Sequence, residues 1–152
     1  MFRIFLQETF VIEDCNYYNS GTITSSQTLN VPNLPVNFKA TFKVKKTASS
    51  MVASWLNIGT DANNLIFFGQ AGANFLGLYK KVSGSNTNIG GQNVLSSLNT
   101  DYLIEFTYED GALTLKCNNV TITGNYTFTG RNFVSTNIEA NNSMKELKIK
   151  AL

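Results

Sequence analysis

The stretch that decides the fold is DYLIEFTYEDGALTLKC, residues 101–117. Apolar side chains occupy every second position before the central Asp110-Gly111 pair and again after it. Because successive side chains of a strand point to opposite faces of a sheet, this alternation predicts two half-buried strands. Asp-Gly is a residue pair that tight two-residue hairpin turns favour. The stretch therefore predicts an antiparallel β-hairpin with one face in a core.

Other parts of the chain show the same two-residue period. Residues 38–45 alternate between apolar side chains and lysine or threonine, which is typical of a half-buried antiparallel strand. Residues 16–21 are predicted to be a turn that carries Tyr17 and Tyr18, and residues 83–92 a mobile Gly/Ser/Asn-rich loop. Further short strands are predicted over residues 2–6, 8–15, 22–31, 51–58, 65–68, 75–82, 120–123, 126–129, 133–138 and 144–152.

No helical stripe accompanies these segments, so the chain is predicted to be all-β, a two-sheet antiparallel β-sandwich. A chain of 152 residues is the size of one ordinary domain. Residues 8–152 are predicted to form that single domain. Residues 1–7 are predicted to be a short strand or an arm, which either pairs with a neighbouring subunit or packs on its own domain.

The composition points away from charged partners. Only 14% of the residues are charged, while the chain has 20 Asn, 16 Thr and 12 Ser. Such a surface suits contact with sugars or with other proteins, although the base composition of the gene explains it equally well. The net charge is +2 and the only arginines are Arg3 and Arg131, so no phosphate-tracking groove and no nucleic-acid partner are predicted.

The sequence shows no signal for membrane insertion or for standard secretion. No apolar run approaches the ~20 residues of a membrane helix, and the apolar start at residues 1–6 is too short for a signal peptide. Virion assembly or release by lysis would account for export, and a separate alternative is that the chain is a fragment cut from a longer precursor. Cys15 and Cys117 are compatible with one disulfide, but two free thiols are the favoured interpretation.

Several motifs resemble the concanavalin A-like family of jelly rolls. FKATFKV at residues 38–44 resembles the F-x-x-x-F-x-V/I strand of that family, and residues 101–115 resemble its alternating hairpin with a central glycine. WLNIG at residues 55–59, LIFFG at 65–69, FLGLY at 75–79 and MKELKI at 144–149 follow in the order of its strands. The resemblance spans roughly residues 8–150 and implies two curved antiparallel sheets, as in lectins, laminin-G-like modules, carbohydrate-binding modules, some glycoside hydrolases and phage tail or virion domains.

Catalysis is not predicted. The chain has no histidine and no CxxC pair, which removes Ser-His-Asp and Cys-His chemistry and a structural zinc site. The glycoside hydrolases of the resembled family carry closely spaced acids on one strand. The nearest acids here, Glu105 and Glu109, would have α-carbons ~14 Å apart along a strand, whereas glycosidase carboxyls lie about 5–9.5 Å apart. No cofactor is predicted.

Sugar binding would use aromatic rings flanked by amides, because pyranose C–H faces pack on rings while hydroxyls need donors and acceptors. Trp55 and Tyr79 are the candidate rings, with Asn57 and Asn74 as candidate amides. Weaker candidates are Tyr17, Tyr18 and Tyr126. The alternative is that Trp55 and Tyr79 fill the space between the sheets. Asp61 and Asn63 are a weak calcium candidate, for which an Asx-type turn is the favoured alternative.

The leading hypothesis is a non-enzymatic structural protein of a phage or other virion, in a tail, fibre or capsid decoration, that contributes to attachment to host-surface glycans. Its predicted partners are a cell-surface glycan or polysaccharide, other virion proteins and further copies of itself. Its predicted location is the virion or the extracellular surface. One alternative is a carbohydrate-binding module of a secreted polysaccharide-degrading enzyme, and another is a structural virion or adhesin domain without a ligand.

Overall fold

The structure is a computed structural model that describes residues 17–31, 34–47, 53–70, 74–138 and 142–152. The strands predicted over residues 2–6 and 8–15, with Cys15, lie outside these residues. Within the described part there is no helix, and so none that could span a membrane. The strands are β1 Tyr17–Ile23, β2 Gln27–Thr28, β3 Phe38–Lys46, β4 Ala53–Asp61, β5 Asn64–Gln70, β6 Phe75–Val82, β7 Ser85–Asn93, β8 Tyr102–Glu109, β9 Ala112–Cys117, β10 Val120–Asn125, β11 Phe133–Ile138 and β12 Asn142–Ala151.

These strands form two sheets of six strands each, and every pairing between neighbours is antiparallel. Sheet A has the order β1-β12-β3-β8-β9-β10, and sheet B has the order β2-β11-β4-β5-β6-β7. Each sheet combines strands that are distant in sequence, such as β12 beside β3 and β11 beside β4. The predicted all-β sandwich of the jelly-roll kind is confirmed.

The hairpin at residues 101–117 forms as its sequence predicts. Strands β8 and β9 pair from Ile104 opposite Cys117 to Glu109 opposite Ala112. Asp110 and Gly111 both have positive φ, at 48° and 91°, which a two-residue turn matched to the twist of a hairpin requires. Asn37 holds this turn, because its Oδ1 accepts from the Asp110 backbone N–H at 3.0 Å and its Nδ2 donates to Asp110 Oδ1 at 3.1 Å.

The core lies between the sheets and is built around aromatic rings. Phe68 of sheet B packs between two rings of sheet A, with its ring centroid 4.6 Å from that of Phe106 and 5.8 Å from that of Phe42. Phe38 continues this group at 6.0 Å from Phe106. All four side chains are buried, and burying a phenylalanine contributes about 1.5–3 kcal/mol to folding.

Two edge strands close one side of the sandwich. A β-carbon on Gly124 of β10 would overlap Cγ2 of Ile89 in β7, and one on Gly90 of β7 would lie 3.0 Å from Cγ2 of Ile122 in β10. Each isoleucine therefore sits over a glycine of the opposite sheet, which lets the two edges approach closely. Edge strands that lie against each other offer less free backbone for pairing with other chains.

Three local predictions were wrong. Tyr17 and Tyr18 lie in strand β1 and not in a turn, because their backbone pairs with β12. Residues 85–93 form β7 and not a loop, because an edge strand needs backbone pairing on one side only and tolerates glycine and asparagine. Residues 126–129 are not a strand; there Phe128 turns into the core, with its ring centroid 4.7 Å from that of Tyr108.

The outer face of sheet A is rich in lysine, and we call it the lysine face. Lys43 lies directly opposite Lys145, and Lys39 directly opposite Lys150, an arrangement of like charges that destabilises a sheet unless carboxylates offset it. Four ion pairs with carboxylates offset this repulsion. In one of them, the hydrogen bond from Lys145 is the main cause that lowers the pKa of Asp101. The lysine face comprises Lys39, Lys43, Lys45, Lys116, Lys145, Lys148 and Lys150; its ion pairs are Lys39–Glu105 at 2.6 Å, Lys43–Glu146 at 3.0 Å, Lys145–Asp101 at 2.7 Å and Lys45–Asp101 at 3.6 Å.

One of these carboxylates depends on a strained backbone. Glu146 lies at a bulge in β12, where the register with β3 shifts between Lys145 and Lys148, and its φ is 56°. Residues other than glycine, asparagine and aspartate seldom adopt this left-handed conformation, which costs about 1–2 kcal/mol. The bulge lets Leu147 continue the buried row while Glu146 reaches Lys43.

We expect Glu146→Gly to be more stable than Glu146→Ala by about 1 kcal/mol, because both variants lose the ion pair with Lys43 but only glycine relieves the left-handed strain. Urea unfolding of the two variants measures the difference. An alanine variant as stable as the glycine variant would show that the bulge does not strain residue 146. Lys43→Gln serves as the control, because it removes the ion pair without touching the bulge.

Candidate functional site

The predicted binding ring Trp55 lies in the core. Its side chain is 0% exposed, and its indole Nε1 has no hydrogen-bond partner among the described residues. The register of β4 with β5 shifts between Ser54 and Leu56, so Trp55 occupies a bulge where simple alternation no longer predicts its side. A ring without exposed surface cannot stack on a sugar. The alternative, that Trp55 fills space between the sheets, accounts for its burial.

Asn74 joins the two sheets at one end of the sandwich. Its Oδ1 accepts a hydrogen bond from Nζ of the buried Lys46 at 2.9 Å, and its backbone carbonyl accepts from the amides of Val94 and Leu95. The predicted amide therefore links the start of β6 to the end of β3 and to the segment that follows β7. The structure does not bring it together with Tyr79.

Tyr79 lies on the outer face of sheet B, the face turned away from sheet A. Its cross-strand neighbour on β5 is Phe67, and the two partly exposed rings stack with centroids 4.9 Å apart and planes inclined by only 10°. Burial raises the pKa of the Tyr79 phenol, so its hydroxyl is protonated at neutral pH and can both donate and accept hydrogen bonds. Tyr79 is therefore a ring of the kind that sugar binding requires.

Glycines make room for the rings on this face. A β-carbon on Gly77 would lie 2.5 Å from Cε2 and 2.6 Å from the hydroxyl oxygen of Tyr79, so the ring lies over the Gly77 backbone. Phe75 lies over Gly91 of β7 in the same way, because a β-carbon there would overlap its ring. A glycine by itself weakens a strand. On this face, however, the glycines allow large rings to lie along the sheet.

Amide groups flank the stacked rings on both sides. Asn57 of β4 lies opposite Phe67, is 8% exposed, and donates from Nδ2 to the carbonyl and hydroxyl oxygens of Ser135 at 3.1 and 3.2 Å. Asn88 of β7 lies opposite Tyr79 and is exposed. We call this surface the aromatic face of sheet B; it comprises Phe67, Phe75, Tyr79, Asn57 and Asn88.

Sequence reasoning missed Phe67, Phe75 and Asn88. Phe67 and Phe68 stand side by side in an apolar run, LIFF, and such a run does not indicate which of its members face the core. The pairing of Phe67 with Tyr79 decides the question, and that pairing depends on the register between β5 and β6. Asn88 falls within the loop predicted over residues 83–92, because its surroundings are rich in Gly, Ser and Asn.

The weaker aromatic candidates lie elsewhere. Tyr17 and Tyr18 belong to β1 of sheet A, where the ring of Tyr18 has Lys148 Nζ 5.2 Å from its centroid. Tyr126 packs edge-on against Phe128 with centroids 5.0 Å apart, on the stretch that follows β10. Neither position contributes to the aromatic face of sheet B.

The calcium candidate forms a turn. Asp61 Oδ1 accepts hydrogen bonds from the backbone N–H groups of Asn63 and Asn64 at 2.7 and 2.9 Å, and from the Asn64 side chain at 3.1 Å. The bond from Asn63 is the main cause that lowers the pKa of Asp61. This is the geometry of an Asx-type turn. Within the described residues no three His, Cys, Asp or Glu side chains cluster closely enough to hold a metal ion.

Glu105 and Cys117 both occupy structural positions in sheet A. Glu105 pairs with Lys39 on the lysine face, and that hydrogen bond is the main cause that lowers its pKa. Cys117 is a free thiol, 2% exposed, in the buried row of β9. Burial raises its pKa to about 11, so the unreactive thiol form dominates at neutral pH.

Several solved structures share this fold. The carbohydrate-binding module CBM66 of Bacillus subtilis superposes with a TM-score of 0.64 at 10% identity, over 90% of this chain and 92% of that one. The CBM40 module of a Ruminococcus gnavus IT-sialidase, solved with α2,3-sialyllactose bound, superposes with a TM-score of 0.64 at 11% identity, over 90% and 91% of the two chains. The galectin LEC-6 of Caenorhabditis elegans superposes with a TM-score of 0.62 at 8% identity, over 85% and 95%.

These likenesses extend over nearly the whole of the described fold. At such low identity they show the architecture, which is the lectin-like jelly roll of the concanavalin A-like kind predicted from the sequence. No protein-family model and no curated protein sequence matches the chain.

We expect Gly77→Ala to separate the Tyr79 and Phe67 rings, because the added methyl group would occupy the space of the Tyr79 ring. Overpacking of this kind costs about 1–3 kcal/mol of stability. Ring-current shifts and cross-peaks between the two rings in NMR spectra measure the separation. Gly21→Ala is the control, since a β-carbon there meets only the flexible Asn19 side chain, at 3.1 Å. Unchanged cross-peaks in Gly77→Ala would contradict the described ring position.

We also expect Cys117 to react with iodoacetamide at pH 8 at least about a hundredfold more slowly in the folded protein than in guanidinium, because burial both raises its pKa and blocks access. A Cys15→Ser background leaves one thiol to follow by mass spectrometry. Equal rates in the two conditions would mean that β9 opens readily or that Cys117 is not buried.

Proposed function

We propose that this chain is a non-catalytic carbohydrate-binding module whose site is the aromatic face of sheet B. The observation that carries the proposal is the offset stack of Phe67 and Tyr79, both partly exposed, with centroids 4.9 Å apart. Aromatic rings that are not needed for the core offer an apolar surface on which a pyranose C–H face can pack. Binding sites commonly combine such surfaces with a few positioned polar groups.

The polar groups around the rings fit sugar hydroxyls. Asn88 presents an exposed amide opposite Tyr79, and the protonated Tyr79 hydroxyl adds a further donor and acceptor. Asn57 is held in one orientation by its two hydrogen bonds to Ser135. A fixed amide on one side and an accessible amide on the other suit recognition of a ring that carries hydroxyls on both edges.

The comparisons support this proposal through what the similar proteins are. CBM66 and CBM40 are carbohydrate-binding modules, and LEC-6 is a galectin. Carbohydrate-binding modules and galectins are binding domains that carry out no catalysis. These similarities favour the alternative hypothesis, a carbohydrate-binding module, over the leading hypothesis of a dedicated virion protein. A place on a phage or other virion, attachment to host glycans from there, contact with other virion proteins and self-association remain predictions.

A glycan array with wild type, Tyr79→Ala and Phe67→Ala tests the function. We expect wild-type binding to one class of glycan and an affinity lower by at least about tenfold, or ~1.4 kcal/mol, in each variant, because each loses part of the stacking surface. Tyr18→Ala is the matched control, since it removes an aromatic ring from sheet A. Retained near-ultraviolet circular dichroism and urea midpoint show that the variants are folded.

Two outcomes would reject the proposal. If wild type binds no glycan on a broad array, the hypothesis of a structural domain without a ligand stands instead. If Tyr18→Ala loses binding while Tyr79→Ala keeps it, the site is on sheet A. A solution mass by light scattering tests self-association separately, because a binding module functions as a monomer whereas virion parts are commonly oligomers.

A further inference from the structure

The charges of the two sheets are distributed unequally, and this bears on the class of glycan. The strands of sheet B contain the lysines Lys80 and Lys81 and a single acidic residue, Asp61, at the end of β4. The Asp61 carboxylate is engaged in its own turn. None of the residues that make up the aromatic face is acidic, so a negatively charged ligand would meet no carboxylate among them.

Lys81 brings a positive charge to the edge of that face. It follows Tyr79 by two positions on β6, so their side chains point to the same side of the sheet at a spacing of roughly 7 Å. It lies opposite Leu65 on one side and Asn86 on the other. Among the residues that the structure describes, Lys81 has no carboxylate within ion-pair distance.

We propose that the aromatic face of sheet B selects acidic glycans, with the sugar ring packed on Tyr79 and Phe67 and its carboxylate bound by Lys81. This inference rests on the proposed function, because it assigns the ligand class of the same site. The exposed amides of Asn86 and Asn88, on the strand beside Lys81 and Tyr79, would receive the neighbouring hydroxyls. A carboxylate attached next to a pyranose ring reaches across the short distance that separates Tyr79 from Lys81.

The lysine face of sheet A is the competing place for an acidic ligand. Four of its lysines are already paired with carboxylates at 2.6 to 3.6 Å, so an acid binding to them would have to displace these carboxylates, whereas Lys148 and Lys150 have no ion pair among the described residues. Among the described residues of this sheet, the ring that contacts a lysine is that of Tyr18 on edge strand β1, and the lysine is Lys148. On sheet B, a lysine without an ion pair stands beside two stacked rings, whereas Lys148 on sheet A stands beside the single ring of Tyr18.

Two matched pairs of ligands test this inference: tetragalacturonate with its fully methyl-esterified form, and α2,3-sialyllactose with its methyl ester. Within each pair, the two members differ only in whether the carboxylates are esterified. Calorimetry with the pair that contains the better ligand is expected to show at least about fivefold preference for the acidic member at low salt. The preference should fall as sodium chloride is raised, because the lysine is exposed enough to be screened. Lys81→Gln is expected to abolish the preference and leave binding of the neutral member within about twofold.

Lys80→Gln is the matched control, because the neighbouring lysine has the same charge and points to the other side of β6. Lys148→Gln with Lys150→Gln is the second control, on the lysine face. Equal affinity of wild type for the acidic and the neutral member would overturn the inference, as would a preference kept in Lys81→Gln and lost in the lysine-face variant. Those results leave the proposed function intact, whereas absence of binding to every glycan on the array would reject both.

Discussion

The packing of Phe68 between Phe42 and Phe106 is the contact on which the rest of the structure depends. It fixes the distance between the sheets with rings from both, and it uses the inward positions of β3, β5 and β8 for that purpose. Rings packed in this way contribute about 0.5–1.5 kcal/mol per pair beyond their burial. Because the strand period is two, fixing Phe68 inward also fixes Phe67 outward. The position of the aromatic face thus follows from the packing of the core.

The division of each strand into inward and outward positions explains how one sandwich presents two different outer surfaces. Sheet A turns lysines, threonines and their paired carboxylates outward, so its outer face is charged and hydrated. Sheet B turns aromatic rings and amides outward over glycine backbones. The core is built from the inward-facing side chains of both sheets, and the rings of the aromatic face are not part of it. The aromatic face is therefore free to serve recognition, at the cost of exposing apolar surface to water.

The sequence was sufficient for those features that depend on neighbouring residues. The hairpin of β8 and β9 combines strict alternation with Asp110-Gly111, and both signals are local. The side of Trp55 was not predictable in the same way, because the bulge between Ser54 and Leu56 appears only when β4 pairs with β5. Alternation along the strand does predict the side of Tyr79, since no register shift interrupts the pairing of β6 with β5. The sequence does not predict β7, because the composition of this segment is typical of a loop. The segment becomes a strand through its pairing with β6.

The rings that lie over glycines have a consequence for how this surface can change by mutation. Tyr79 fills the space above Gly77, and Phe75 fills that above Gly91. Residues in such contact do not contribute independently, so the effect of a substitution at the glycine depends on the ring that is present. A larger residue at position 77 would be tolerated only after position 79 had become small. The order of substitutions therefore matters, because a route that introduces a side chain at position 77 or 91 passes first through the loss of a ring.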